Sequence, residues 1–184
     1  MLTSHVRNII LFTLTALTAN CVYAADLIHV RLQDRLDRPQ DGYCFDILGT
    51  PSNLRLELPL FAHNCKGGPT PDSTMTYTDQ GQLVFPDAGG VCVTAFGVNS
   101  TVLPGSPVLL RPCGYRIAFY DTANLQNFDH LDNGQLQLRG YALCVAVGEE
   151  SSHTYSANDR WRVLSLEPCA DTALSHSAWE MVDL

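Results

Sequence analysis

The stretch GQLVFPDAGGVCVTAFGVNSTVLPGSPVLLRPC, residues 81–113, opens on Gly81-Gln82-Leu83, passes through Cys92 and closes on Arg111-Pro112-Cys113. The same order recurs downstream as Gly134-Gln135-Leu136, Cys144 and Glu167-Pro168-Cys169, and the cysteine pair has an upstream copy in Cys44 and Cys65. The pairs Cys44/Cys65, Cys92/Cys113 and Cys144/Cys169 are separated by 21, 21 and 25 residues, and their first members by 48 and 52. One unit of about fifty residues is thus used three times, over approximately 25–78, 79–131 and 132–184.

Each unit ends on a further landmark, in Ser73-Thr74-Met75, Gln126-Asn127-Phe128 and Ser177-Ala178-Trp179. Met75, Phe128 and Trp179 fall at one place in the repeat, which marks them as core residues rather than a binding stripe.

Working outward, the local pattern is all-β. Apolar and polar residues alternate in Leu54-Arg55-Leu56-Glu57-Leu58, Gln135-Leu136-Gln137-Leu138-Arg139 and Val163-Leu164-Ser165-Leu166-Glu167, the period of a half-buried strand. Turn residues punctuate the runs at Asp41-Gly42, Gly67-Gly68-Pro69, Leu103-Pro104-Gly105 and Asp132-Asn133-Gly134. Each unit supplies four strands, which predicts about twelve. Leu27 to Leu32 stands in for the Gly-x-Leu strand in the first unit, and Asp34 to Gln40, Gly114 to Asn124 and Gly148 to Arg160 read as surface insertions. A unit of about fifty residues cannot bury a core alone, so the three are expected to form one domain over 25–184.

The first 24 residues carry Arg7, the apolar run Ile9 to Ala19, and small residues in Val22-Tyr23-Ala24, the pattern of a signal peptide. The apolar run is too short for a membrane span, which takes roughly 20 residues. Removal of residues 1–24 leaves 160 residues and takes the net charge from −8 to −9, since Arg7 is the only charge lost. An acidic chain without a basic cluster repels phosphate backbones, which disfavours nucleic acid as a partner. Export, secreted or periplasmic, makes disulfides of the remaining six cysteines. Of fifteen possible connectivities, the one that repeats a single bond three times is Cys44–Cys65, Cys92–Cys113 and Cys144–Cys169.

The strands Cys44-Phe45-Asp46, Cys92-Val93-Thr94 and Cys144-Val145-Ala146, the Pro-Cys endings at Cys113 and Cys169, and Gln126-Asn127-Phe128 together resemble the ricin-type β-trefoil, the ricin B-type (Gln-x-Trp) lectin family. The similarity covers nearly the whole mature chain. It implies a β-trefoil with one shallow sugar pocket available per repeat, built from an aspartate two after the first cysteine, an aromatic residue two before the second, and an Asn-Gln pair. A carboxylate and an amide take adjacent sugar hydroxyls, while a ring face covers the C–H patch.

On that resemblance the first unit keeps the most. Asp46 stands at the carboxylate position, His63 at the aromatic position, Lys66 follows Cys65 at a polar contact position, and Asp72 with Ser73 replaces the Asn-Gln pair. Phe61 stands where a polar contact is usual. Thr94 and Ala146 replace the aspartate in the other units, and Arg111 and Glu167 replace the aromatic residue. Gln126 is expected to be a structural side chain bonding the backbone of its own repeat.

The residue-level alternatives are plain. Asp72 follows Pro71 and fits turn initiation, Asp46 fits a solvated strand-end carboxylate, and His63 fits a barrel-surface side chain. Trp161 lies outside the repeat register and reads either as a ligand-facing ring or as a loop anchor. Tyr115, Phe119 and Tyr120 raise the same choice in the insertion 114–124.

No nucleophile elbow, phosphate loop or His pair at metal-binding spacing is present in the sequence, so no catalytic residue, metal site or cofactor is expected. Carboxylate pairs for glycoside hydrolysis remain open at this level. The expected function is non-catalytic binding of a glycan or glycoprotein by a secreted lectin-like trefoil, chiefly through Asp46, His63, Lys66 and Asp72. The alternative is a protein-interaction trefoil, a toxin-like receptor-binding subunit or an inhibitor, acting through loops 114–124 and 148–160. A single shallow site binds weakly, so avidity calls for an oligomer or a partner subunit.

Overall fold

The computed structural model describes residues 26–118 and 120–184. The leader 1–24 and Phe119 lie outside the described residues.

Twelve strands carry the repeat. In the first unit they are β1 (Ile28–Leu32), β2 (Tyr43–Asp46), β3 (Phe61–Asn64) and β4 (Thr76–Tyr77). The second unit has β5 (Leu83–Phe85), β6 (Val91–Ala95), β7 (Ser106–Pro112) and β8 (Phe128–His130). The third has β9 (Leu136–Leu138), β10 (Leu143–Val147), β11 (Arg160–Pro168) and β12 (Trp179–Asp183).

The register repeats with the sequence. Arg31 faces Cys44, Val84 faces Cys92 and Gln137 faces Cys144, so His29, Gln82 and Gln135 are equivalent positions. The second and third strands of each unit form a long antiparallel pair, β2 with β3, β6 with β7 and β10 with β11. The fourth strand of each unit pairs with the first strand of the next: β4 with β5, β8 with β9, and β12 back onto β1 from Ile28↔Asp183 to Leu32↔Trp179. That last ladder closes the ring, which is the topological mark of a β-trefoil. The third strands meet one another as well, β11 contacting both β3 and β7.

Met75, Phe128 and Trp179 are wholly buried, and each backbone N–H donates at 2.8–2.9 Å to the carbonyl of Ile28, Gly81 or Gly134 in its own unit. Phe45 meets Trp179 edge-on with ring centroids 4.6 Å apart, and Trp179 Nε1 donates to the Val145 carbonyl at 2.9 Å. Buried aromatic N–H groups need such a partner. Gly81 and Gly134 adopt φ of +80° and +86°, and a Cβ at either would meet Phe128 O or Gln33 Nε2 at 2.5 Å, so glycine is required before both strands.

The three disulfides are Cys44–Cys65, Cys92–Cys113 and Cys144–Cys169, with Cα separations of 4.9, 5.1 and 5.0 Å. Each ties the second strand of its unit to the end of the third. Loop-closure entropy assigns each roughly 3 kcal/mol.

One sequence expectation is corrected. Leu54 to Leu58 is not a strand: only Asn53–Leu54 pairs, with Gly49–Thr50, and the chain then turns, Leu58 N donating to Arg55 O at 3.1 Å. Leu54, Leu56 and Leu58 are half-buried while Arg55 and Glu57 are exposed, so the alternation is real in burial but no neighbouring strand pairs with the segment. Two of the insertions are short hairpins. Arg116–Ile117 pairs with Tyr120–Asp121, and Ser152–His153 pairs with the start of β11. Among the described residues no helix is long and apolar enough to cross a membrane.

Candidate functional site

Asp46 ends β2 and faces Phe61 across the ladder, and His63 follows two residues along β3 on the same face as Phe61. Lys66 comes directly after Cys65, whose disulfide holds the strand end. Asp72 sits in a turn closed by Ser73 N and Thr74 N onto Thr70 O, and its own carbonyl accepts from Ile47 N at 2.8 Å. The fold therefore brings all four sequence-predicted residues together, at a cleft of about 600 Å³.

Lys66 Nζ lies 2.6 Å from Asp46 Oδ2 and 2.6 Å from Asp72 Oδ2, bridging two carboxylate side chains that are only 3% and 4% exposed. His63 Nδ1 stands 3.8 Å from Asp46 Oδ2, too far for a hydrogen bond. Three buried atoms here make no aligned hydrogen bond within the chain: Asp46 Oδ2, whose contact with Lys66 is an off-axis ion pair, Asp72 Oδ1 and His63 Nδ1.

Burial pushes the Asp46 carboxyl up to about 7, against the pull of Lys66 and with the Asp72 charge adding to the push. Burial works against the Lys66 cation, yet Asp46 and Asp72 outweigh it and hold its ammonium above the usual lysine value. Burial, then the Lys66 charge, keeps the His63 imidazole below its ordinary value, so His63 is neutral at pH 7.

The far wall of the cleft comes from the third unit. Thr154, Tyr155, Ser156 and Asp159 of the insertion 148–160 line it together with Asn53 and Arg55. A polar network holds the insertion in place. Arg162, 5% exposed, donates to Gly148 O and Glu149 O through Nη1 and to Asp37 Oδ1 at 2.7 Å through Nη2, with its guanidinium 5.0 Å over the Tyr43 ring. Asp37 also accepts from Tyr43 OH and Ser151 Oγ, and Asn64 takes Arg160 N on Oδ1 while donating to Asp41. Loop desolvation opposes the Asp37 charge, but hydrogen bonds from Arg162, Ser151 and Tyr43 hold its carboxyl far below the usual range.

Sequence reasoning named neither Asp37 nor Arg162. A signal was there: Arg162 is in period-two phase with Leu164 and Leu166, and a charge on the inward face of a strand needs a partner. Which partner was not readable, because Asp37 lies 125 residues away.

Trp161 faces His63 in the β3–β11 ladder and packs edge-on against Phe61 at 6.2 Å. Tyr115 and Tyr120 pack on each other at 6.1 Å within the insertion 114–124. Gln126 is wholly buried and bonds its own repeat, as the sequence suggested: Oε1 accepts from Gly114 N, and Nε2 donates to Thr94 Oγ1 and Pro112 O. Among the described residues no three His, Cys, Asp or Glu side chains are placed to hold a metal ion.

No protein-family model matches the chain, and no curated protein matches it in sequence. Solved structures do. The chain is similar to the mdaA-1 domain, known from a solution structure, with a TM-score of 0.61 and 12% identity over 87% of this chain and 91% of that one. It is also similar to the agglutinin from Abrus precatorius, with a TM-score of 0.61 and 18% identity over 91% of this chain and 51% of that one. At these identities the likeness is one of fold, and it agrees with the trefoil built from the strand register.

Proposed function

We propose that the protein is a secreted, non-catalytic carbohydrate-binding trefoil of the ricin B type, formed by residues 25–184 after loss of the leader 1–24, and that it holds a glycan in the cleft over its first unit. The observation that carries this reading is the convergence, at one cleft of ligand size, of a Lys66-bridged carboxylate pair, Asp46 and Asp72, with two buried polar atoms that lack a partner, Asp72 Oδ1 and His63 Nδ1. A buried polar atom left unpaired costs roughly 1–3 kcal/mol, and the side chains have only to turn toward the cleft to find partners in sugar hydroxyls. They donate to the two carboxylates and accept from Lys66. Phe61 and the fully exposed Tyr155 offer ring surface to the C–H face of the sugar.

Likeness to a protein named an agglutinin supports the reading, and three disulfides fit an oxidising compartment outside the cytosol. Lys66 supports the reading of binding without turnover. Its ammonium fills the gap between the two carboxylates, where a glycosidic oxygen would have to sit between an acid and a nucleophile.

The test is a glycan-array screen of the oxidised mature chain presented as a multivalent complex, with Asp46→Ala beside it. Selective binding that disappears in the variant is expected. Glycan affinity retained by a folded Asp46→Ala removes the site assignment. Absence of any binding moves the reading to a protein partner, for which Ile117, 54% exposed on the 114–124 hairpin between Arg116 and Ala118, is the specific feature.

A further inference from the structure

Beside the polar cleft lies a second one, of about 520 Å³, whose lining carries no charged side chain. Leu48, Phe61, Thr154 and Tyr155 line both, so the two clefts share a wall. A row of edge-on rings crosses that wall: His63 to Phe61 at 5.8 Å between centroids, then Phe61 to Trp161 at 6.2 Å. His63 belongs to the polar side and Trp161 to the apolar side. Val163, opposite Phe61 in the β3–β11 ladder, is 54% exposed and presents its methyl groups to the apolar cleft.

Scattered exposed apolar side chains need no explanation. Apolar side chains gathered into a concavity that continues directly into a charged cleft do, because the pair matches a ligand with two unlike ends. We propose that the site takes a glycoside with an alkyl aglycone, its sugar on Asp46, Lys66 and Asp72 and its chain laid along Phe61, Trp161 and Val163. This rests on the carbohydrate reading above and narrows it to amphipathic, glycolipid-like ligands. Each volume falls within the roughly 300–1,000 Å³ usual for small-molecule sites, so neither half is too small for its end of the ligand. A bare sugar leaves the apolar half uncovered, and a bare chain leaves the carboxylates and Lys66 unmatched.

The experiment uses the oxidised mature chain and matched methyl and n-octyl glycosides of glucose, galactose and N-acetylglucosamine, all below micelle-forming concentration. Calorimetry gives the affinities, and Trp161 emission reports the apolar cleft, since Trp179 is wholly buried. For at least one sugar the octyl glycoside is expected to bind about tenfold or more tightly than its methyl partner, the gain that two buried methylene groups supply. A blue shift of Trp161 emission accompanies it. Val163→Asp returns the octyl glycoside to the methyl affinity and leaves the methyl glycoside unchanged, and Trp161→Ala also weakens the octyl glycoside. Val163 is exposed, so its variant folds even where Trp161→Ala does not.

Equal affinities for the two members of every pair overturn the proposal and leave the carbohydrate reading standing. Failure of every glycoside to bind overturns the proposal, and the glycan array decides whether the carbohydrate reading falls with it. Binding of 1-octanol as tightly as the octyl glycosides also overturns it, because the sugar then contributes nothing.

Discussion

Asp46 in the first unit and Thr94 in the second occupy one register position, two residues after the first cysteine, and the chain treats them in opposite ways. Thr94 is sealed by hydrogen bonds: its hydroxyl donates to Cys92 O and accepts from Gln126, whose remaining groups hold Gly114 N and Pro112 O. In the first unit Ser73 stands in place of Gln126. Its short side chain meets Thr70 Oγ1 at 2.7 Å and His29 Nε2 at 3.2 Å, and makes no hydrogen bond to Asp46. Asp46 and Asp72 are left to Lys66, beneath a cleft. The backbone scaffold is the same, so the amide or its loss decides whether the position closes as structure or stays polar beneath a cleft. The third unit closes a third way, with Ala146 at the position and Gln135 spanning Cys169 O and Ser177 Oγ from the preceding strand.

The largest expected effect tests how poorly the open position holds charge. Asp46 has an unfolded value near 3.8 and a folded one of about 7, so between these values the folded state binds the extra proton. Stability from this group is full below about pH 4 and is lost as pH rises through 7. A shift of about three units corresponds to about 4 kcal/mol. The imidazoles of His63 and His29, both held low by burial first, act in the opposite sense and withdraw stability as pH falls below 6.5. The informative quantity is therefore the difference between wild type and Asp46→Asn in urea unfolding from pH 4 to pH 8. The variant gains on wild type by about 4 kcal/mol across that window. A difference that does not vary with pH refutes the buried, charge-averse Asp46.

Next in size is the contrast between the two closing residues. Gln126→Ala removes three hydrogen bonds and strands buried partners, at a cost of about 3 kcal/mol. Ser73→Ala, its counterpart in the open unit, costs about 1 kcal/mol. Denaturant midpoints of the two variants, at matched slopes, measure the contrast. Equal costs mean that the amide is not what separates the units.

Much of this was legible in the sequence because repetition carries it. The disulfides, the twelve strands and the burial of Met75, Phe128 and Trp179 all follow from one pattern seen three times, and a repeated pattern averages out local ambiguity. The grouping of Asp46, His63, Lys66 and Asp72 was readable through the family resemblance, which places the first three by their distance from a cysteine and Asp72 by the tripeptide that closes the unit. Features that occur once were not. Leu54 to Leu58 alternates as a strand does, yet strand formation needs a neighbour that this segment lacks. The insertion 148–160 gave no hint that it walls the first unit's cleft, because the Arg162–Asp37 bond that holds it joins residues 125 positions apart.

The smallest of the three effects concerns Lys66, the cation that the second unit replaces with Gly114. Breaking a buried ion pair by removing one partner costs about 3–5 kcal/mol when the other charge must stay. Asp46 need not stay charged, because its carboxyl already titrates at about 7, and once protonated it no longer repels Asp72. Proton uptake therefore limits the cost of Lys66→Met to about 2 kcal/mol at neutral pH, with a larger cost at pH 8 than at pH 6. Adding Asp46→Asn to Lys66→Met removes that pH dependence and recovers most of the stability. Urea unfolding at both pH values checks it. A cost for Lys66→Met that is the same at pH 6 and pH 8 means that the lysine contributes by packing its methylenes and not by its charge, and that the difference between the open and closed units is one of shape.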